Sequence, residues 1–181
     1  MLETEAKISA REKMEKAYFD FLETVHYSKI TVSDIITMSG VSRTTFYRHY
    51  VDIFDMHEKI AQRLSEKIID ECLSKVITST QKNEYFDEIV KIFISQNKYI
   101  KLISGKNGSR LFFEAMYREI SKRLLPHVSE VSEELSFRLK FIAIASIGVF
   151  VKDILDNREH NTDFIDICKR LIDIESLIGG Y

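Results

Sequence analysis

Thr44, Thr45 and Arg48 fall on one arc when Arg43 to Tyr50 is set on a helical wheel at about 100° per residue. No acidic residue interrupts that stretch. An arginine so placed can donate two hydrogen bonds to O6 and N7 of guanine, and a threonine offers a hydroxyl to a base edge and a methyl to thymine. Tyr47 and His49 stand on the two flanks of the arc, where their polar tips suit phosphate oxygens, contacts that fix register without reading sequence. Arg43 lies nearer the opposite side, either snorkelling to a phosphate or simply solvated. Ser42 precedes this stretch, and Thr31 and Ser33 open the one before it; at helix starts like these, backbone N–H groups attract phosphate. The chemistry is that of a protein face entering the major groove of double-stranded DNA.

Other chemistries find little support. His26, His57, His127 and His160 show no metal-ligand spacing and read as surface or capping histidines. There is no glycine-rich phosphate loop and no local nucleophile signature. Neither an enzyme, nor a metal site, nor a cofactor is expected.

The elements that must hold the arc are legible around it. Thr31 can cap a helix, with Asp34 three residues on as its capping-box partner, and Val32, Ile35 and Ile36 then point one way. Gly40 suits the left-handed backbone that ends a helix, and Ser42 can cap the next. Two short helices separated by roughly Ser39 to Ser42 form a helix-turn-helix. Phe46 and Tyr50, four residues apart, anchor the second of them to a core that includes Ile35 and Val41. A preceding helix over Glu5 to Val25 supplies the rest of that core through Met14, Ala17, Tyr18, Phe21, Leu22 and Val25.

Longer helices follow. Ile53, Met56, Ile60, Leu64, Ile68 and Cys72 mark a long connecting helix, and Asn83 caps one reaching about Ile103. A turn at Gly105 to Gly108 leads to a helix over Ser109 to Leu125, stopped by Pro126. A further helix runs from about Glu133 to Asp156, and Thr162 caps a last one ending near Ile178. One proline and six glycines in 181 residues fit long helices better than many short strands, and 45% hydrophobic residues suffice for a core. The fold class expected is all-α.

A net charge of −2 excludes a generally basic nucleic-acid binder, so DNA contact must come from a local patch. From Met1 to Asp52, seven basic residues (Lys7, Arg11, Lys13, Lys16, Lys29, Arg43, Arg48) face eight acidic ones (Glu3, Glu5, Glu12, Glu15, Asp20, Glu23, Asp34, Asp52). Few counterions would be released, and modest affinity is expected. Cys72 and Cys168 read as reduced, semi-buried thiols of a cytoplasmic protein. The opening Met-Leu-Glu-Thr-Glu does not read as a signal peptide. The uncharged run Phe141 to Val151 is too short to span a membrane and reads as a buried helix.

Taken together, Thr31, Asp34-Ile35, Gly40-Val41-Ser42 and the ending Thr45-Phe46-Tyr47-x-His49-Tyr50 resemble the DNA-binding signature of the TetR/AcrR transcriptional regulators. The resemblance covers about the first quarter of the chain by motif and the rest by length and helical pattern. It implies a three-helix DNA-binding domain over residues 1–51. It also implies a larger helical domain over 52–181 that dimerises through its last two helices and holds a ligand pocket controlling DNA affinity. By match, Thr44, Thr45 and Arg48 read bases while Tyr47 and His49 contact phosphate. Many members carry a lysine just after the motif that binds phosphate; here Val51-Asp52-Ile53-Phe54 stands in its place.

Two further sets of candidates belong to the larger domain. Phe86, Phe93, Phe112, Phe113, Met116 and Tyr117 are mostly core, with a subset suited to a small apolar or aromatic ligand. Ile144, Ile147, Gly148 and Val151, with Leu171 and Ile174 of the last helix, present more apolar surface than a monomer exposes, which fits a four-helix homodimer interface. The function expected is a ligand-responsive homodimeric regulator, a repressor, on a near-palindromic operator; the alternative is a helical interaction protein with weak or no DNA binding.

Overall fold

The structure is a computed structural model describing the backbone of residues 8–78 and 82–123 and of positions 144, 145, 147–149, 151, 152 and 154–156. The side chains of residues 76–87 lie outside the description. Every regular element among the described residues is helical.

Helix α1 spans Ala10–Leu22; of the start expected at Glu5, residues 8 and 9 are not helical, because Ser9 caps the helix, and residues 5–7 lie outside the described residues. The Ser9 hydroxyl accepts from the Glu12 N–H, and the Glu12 carboxylate accepts from the Ser9 N–H. A 3₁₀ turn, Tyr27–Lys29, leads into α2 (Val32–Ser39). Helix α3 (Arg43–His49) follows after the turn at Gly40. Next comes α4, Ile53–Thr78, 26 residues long. The single helix expected from Asn83 to Ile103 is two, α5 (Lys82–Ser95) and α6 (Asn97–Ser104). The break falls where the Ser95 hydroxyl donates to the Ile92 carbonyl and Gln96 leaves the helical backbone region. A serine binding its own helix's carbonyls competes with the ladder and bends it. Helix α7 covers Leu111–Arg123.

One apolar core runs through both ends of the molecule. Met14, Tyr18 and Leu22 of α1 meet Ile35 of α2, Phe46 of α3 and the first turns of α4 at Ile53, Met56 and Ile60. Farther along, α4 packs on α5 and along α7, where Ile68, Phe93, Phe112, Met116 and Ile120 continue the same cluster. Helix α4 therefore belongs to both ends, with Ile53, Met56, Ile60, Leu64 and Ile68 at the spacing of one helical stripe.

His57 corrects the surface or capping role expected of it: it is 0% exposed. One residue beyond Met56, it faces inward where α1, the 3₁₀ turn and the α6–α7 connection converge. Its Nδ1 lies 2.5 Å from the Tyr18 hydroxyl and its Nε2 lies 2.7 Å from Ser109 Oγ. Its ring stacks on Tyr27 with centroids 4.4 Å apart. Burial keeps the Tyr18 phenol protonated, so Tyr18 donates to Nδ1 and the Nε2–H donates to Ser109. The α6–α7 connection is fastened nearby as well. The Tyr27 N–H donates to the Asn107 carbonyl at 2.7 Å, and Asn107 Nδ2 donates to the Leu22 carbonyl at 2.9 Å. Gly108 is required there, because a Cβ would stand 2.0 Å from the Ile103 carbonyl oxygen.

Candidate nucleic-acid interface

The helix-turn-helix is built as its residues predict. Thr31 caps α2: its hydroxyl accepts from the Asp34 N–H at 3.2 Å and donates to Asp34 Oδ2 at 2.7 Å, while its own N–H donates to the same oxygen at 2.8 Å. Gly40 ends α2 with φ 67°, the left-handed conformation that glycine adopts without steric cost. Ser42 caps α3 by accepting from the Thr45 N–H at 3.1 Å. Phe46 and Tyr50 are buried, and Val41 and Ile36 pack against the same core.

That anchoring turns one face of α3 outward. Thr44, Arg48 and Arg43 are exposed and Thr45 is half-buried. The Thr45 hydroxyl lies 2.8 Å from Ser42 Oγ, so its methyl is the more available group. Tyr47 is 51% exposed, with its ring edge-on to Phe46. His49 is half-buried beside Tyr50. Ser33 is exposed in the first turn of α2. The Thr31 hydroxyl is already engaged in the cap, and the Asp34 carboxylate beside it neutralises part of the positive helix end. Of the two helix starts, that of α3, capped by a neutral serine with no acid in its first turn, is the better phosphate site.

The corner between α3 and α4 is apolar and acidic outside. Val51 is 72% and Phe54 56% exposed. Asp52 Oδ1 accepts from the Asp55 N–H, and Asp55 Oδ2 accepts from the Val51 N–H, each at 2.8 Å. Burial pushes the Asp55 carboxyl up, but the Lys59 hydrogen bond, the Val51 N–H and the nearby charges of Lys59 and Arg63 together hold it below the usual carboxylate range.

At the corner lies a polar cluster that local spacing announces only in part. The Tyr50 hydroxyl donates to Glu15 Oε1 at 2.9 Å, and Arg63 Nη2 donates to the same oxygen at 2.5 Å and to the Tyr50 hydroxyl at 3.0 Å. Lys59 Nζ donates to the His49 carbonyl at 3.1 Å and to Asp55 Oδ2 at 2.9 Å. Burial pushes the Tyr50 phenol far above its ordinary value, so it stays a neutral donor. The Asp55–Lys59 and Arg11–Glu15 spacings of four are local helix signals; the pairing of Glu15 with Arg63, 48 positions on, has none.

In the larger part, Phe93, Phe112 and Met116 are buried and Phe113 is half-buried. Tyr117 is exposed, because α7 buries Phe112, Met116 and Ile120 at four-residue spacing and turns Tyr117 off that stripe. The Phe86 side chain lies outside the described residues, as do Leu171 and Ile174. Ile147 and Val151 are buried within the single chain. Ile144 is exposed, and Gly148 has open space around it. No helix among the described residues is long and apolar enough to cross a membrane.

No family model matches the chain. Among curated proteins it is similar to the HTH-type transcriptional regulator YxbF of Bacillus subtilis (strain 168), itself uncharacterized, at 23% identity over 161 residues. That match takes in 84% of this chain but 41% of YxbF, so the chain spans about two fifths of that relative's length. Three solved structures share the fold. A protein assigned to the TetR-family transcriptional regulators from Syntrophomonas wolfei superposes with a TM-score of 0.64 at 18% identity, covering 93% of this chain and 95% of its own. The fatty acid degradation regulator FadR from Bacillus halodurans gives 0.63 at 17%, covering 92% and 96%. The TetR family repressor AlkX from a Dietzia strain, implicated in biodegradation of n-alkanes, gives 0.57 at 20%, covering 91% and 94%. The chain has the all-α fold of TetR-family regulators.

Proposed function

We propose that this protein is a transcriptional regulator that binds a near-palindromic operator as a homodimer, reading bases with Thr44, Thr45 and Arg48. Tyr47 and His49 contact phosphate, with Arg43, Ser42, Ser33 and Thr31 at the edges. One observation carries the reading: an exposed, acid-free arc on a short helix that a capped glycine turn and two buried aromatics hold in a fixed attitude. A two-fold dimer would set two such helices about 34–36 Å apart, in successive major grooves. Residues 1–51 would read DNA, and 52–181 would pair through helices bearing Ile144 and Gly148 and bind a small apolar ligand among residues such as Phe93, Phe112 and Met116. FadR, a fatty acid degradation regulator, and AlkX, implicated in biodegradation of n-alkanes, fit an apolar ligand class. Such a ligand would release the operator only by as much as its affinity differs between the two conformations. The sign assigned is repression.

Selection of bound duplexes from a random pool tests the core of this proposal. Enrichment of an inverted repeat with half-sites about one helical turn apart supports it. One feature favours a second reading, an interaction protein of this fold with little DNA affinity: the α3–α4 corner exposes Val51 and Phe54 beside Asp52 and Asp55. A pool with no enriched sequence would select that reading.

A further inference from the structure

We infer that Glu15, Lys59 and Arg63 are positioning residues that clamp the carboxyl end of α3 to α1 and α4 and so set the angle at which Thr44, Thr45 and Arg48 meet the bases. The inference rests on the reading of α3 as the base-reading helix. Helix α3 is seven residues long. A helix that short has no independent stability in water, so its attitude is set by what holds it. Its amino end is held by Ser42 and its back by Phe46.

At its carboxyl end two separate fastenings meet. Lys59 donates to the last helical carbonyl, that of His49, and to Asp55, whose same carboxylate oxygen accepts the Val51 N–H. The lysine thereby places a positive charge at the negative helix end and ties it to the backbone just past the corner. One residue beyond the helix, Tyr50 is locked by a three-way contact of its hydroxyl with Glu15 of α1 and Arg63 of α4. Both cations also lie over the Tyr50 ring, 5.8 and 5.9 Å from its centroid. Glu15 and Arg63 are mostly screened from solvent, so these charge-assisted bonds have well-defined geometry.

The consequence separates these cations from ordinary DNA-contacting ones. A lysine that neutralises a phosphate releases a counterion, and its loss flattens the dependence of affinity on salt by about one unit of slope. Lys59, exposed, and Arg63, half-buried, engage their charges with partners in the protein itself, the His49 carbonyl and Asp55 for one and Glu15 for the other. Their loss is expected to leave the slope unchanged and to damage base discrimination, because a bidentate arginine–guanine contact tolerates little misalignment.

The experiment measures binding of the full chain to the enriched duplex and to a scrambled duplex of equal length, over about 50–200 mM salt. The proteins are wild type, Lys59→Met, Arg63→Met, Arg63→Lys and Tyr50→Phe, each checked for helix content and melting. Expected for the two methionine variants is a loss of about tenfold on the enriched duplex alone, with wild-type salt slope. Arg63→Lys, which can still donate to Glu15 and Tyr50, is expected to recover most of it. Tyr50→Phe keeps the buried ring and removes only the hydroxyl, so it carries the test by itself if a methionine variant fails to fold; a selective loss on the enriched duplex is expected. Equal losses on both duplexes with a flattened slope would overturn the inference in favour of phosphate contacts, and unchanged binding to both would overturn it outright. If wild type itself does not distinguish the duplexes, the DNA-reading proposal falls and this one with it.

Discussion

Acidification from pH 7 to pH 4 is expected to remove a defined share of this protein's stability through one imidazole, that of His57. The ring is fully buried between two hydroxyls and a stacked tyrosine. Burial, aided slightly by the charge of His26, lowers its pKa from 6.5 to about 4. The unfolded chain therefore takes up a proton near pH 6.5 that the folded chain refuses until about pH 4. Between those values the unfolded state binds more protons, so stability rises with pH there and is flat above. At about 1.4 kcal/mol per pH unit, the full window is worth about 3 kcal/mol, a large fraction of a typical folding free energy of about 5–15 kcal/mol. Urea unfolding at half-unit steps of pH, for wild type and His57→Gln, isolates this share. The carboxylates that also titrate are common to both proteins and drop out of the difference. The variant is expected to be less stable at pH 7, since it loses the stack on Tyr27, yet to lose less on acidification. Its slope is expected to be shallower by up to about 1.4 kcal/mol per pH unit near pH 5. Parallel curves for the two proteins from pH 7 to pH 4 would refute the reasoning, since they would mean that His57 titrates alike in both states.

Arg48→Ala is expected to cost about 1–3 kcal/mol of operator binding and to relax preference at one base position, read by repeating the selection with the variant. Tyr47→Phe is expected to weaken enriched and scrambled duplexes alike, because a phosphate contact carries no sequence information; anisotropy titrations check this. Gly40→Ala is expected to cost about 1–2 kcal/mol, because φ is positive but the Cβ meets no atom within 4 Å. Gly108→Ala is expected to cost more, because its Cβ would strike backbone and displace the turn that carries Asn107 and Ser109; urea midpoints rank the two. Sedimentation at micromolar concentration is expected to show a dimer, and Ile144→Glu to shift it toward monomer, since that side chain is exposed in the protomer.

Much of the helix-turn-helix is legible in the sequence because its signals are local. A threonine with an aspartate three residues on, a glycine, then a serine, define two helix starts and one stop through bonds that span only a few residues. The wheel position of Phe46 and Tyr50 then dictates which residues face outward, since a four-residue spacing fixes a common side whatever the partner. The all-α class and the long α4 stripe follow from the same short-range periodicity. The break at Gln96 escapes it, because apolar residues on both sides of the break keep the pattern running.

What the tertiary structure alone decided are the partnerships between distant positions. His57 looks like any histidine on a helix until Tyr18, 39 residues before it, and Ser109, 52 residues after it, close around its two nitrogens. Lys59 and Arg63 look like solvated charges of an amphipathic helix until folding brings the His49 carbonyl and Glu15 within bonding distance. Capping and periodicity are written in neighbouring residues and can be read in one dimension. The polar contacts that fasten α3 and bury His57 depend on how helices cross, and no spacing along the chain encodes that crossing by itself.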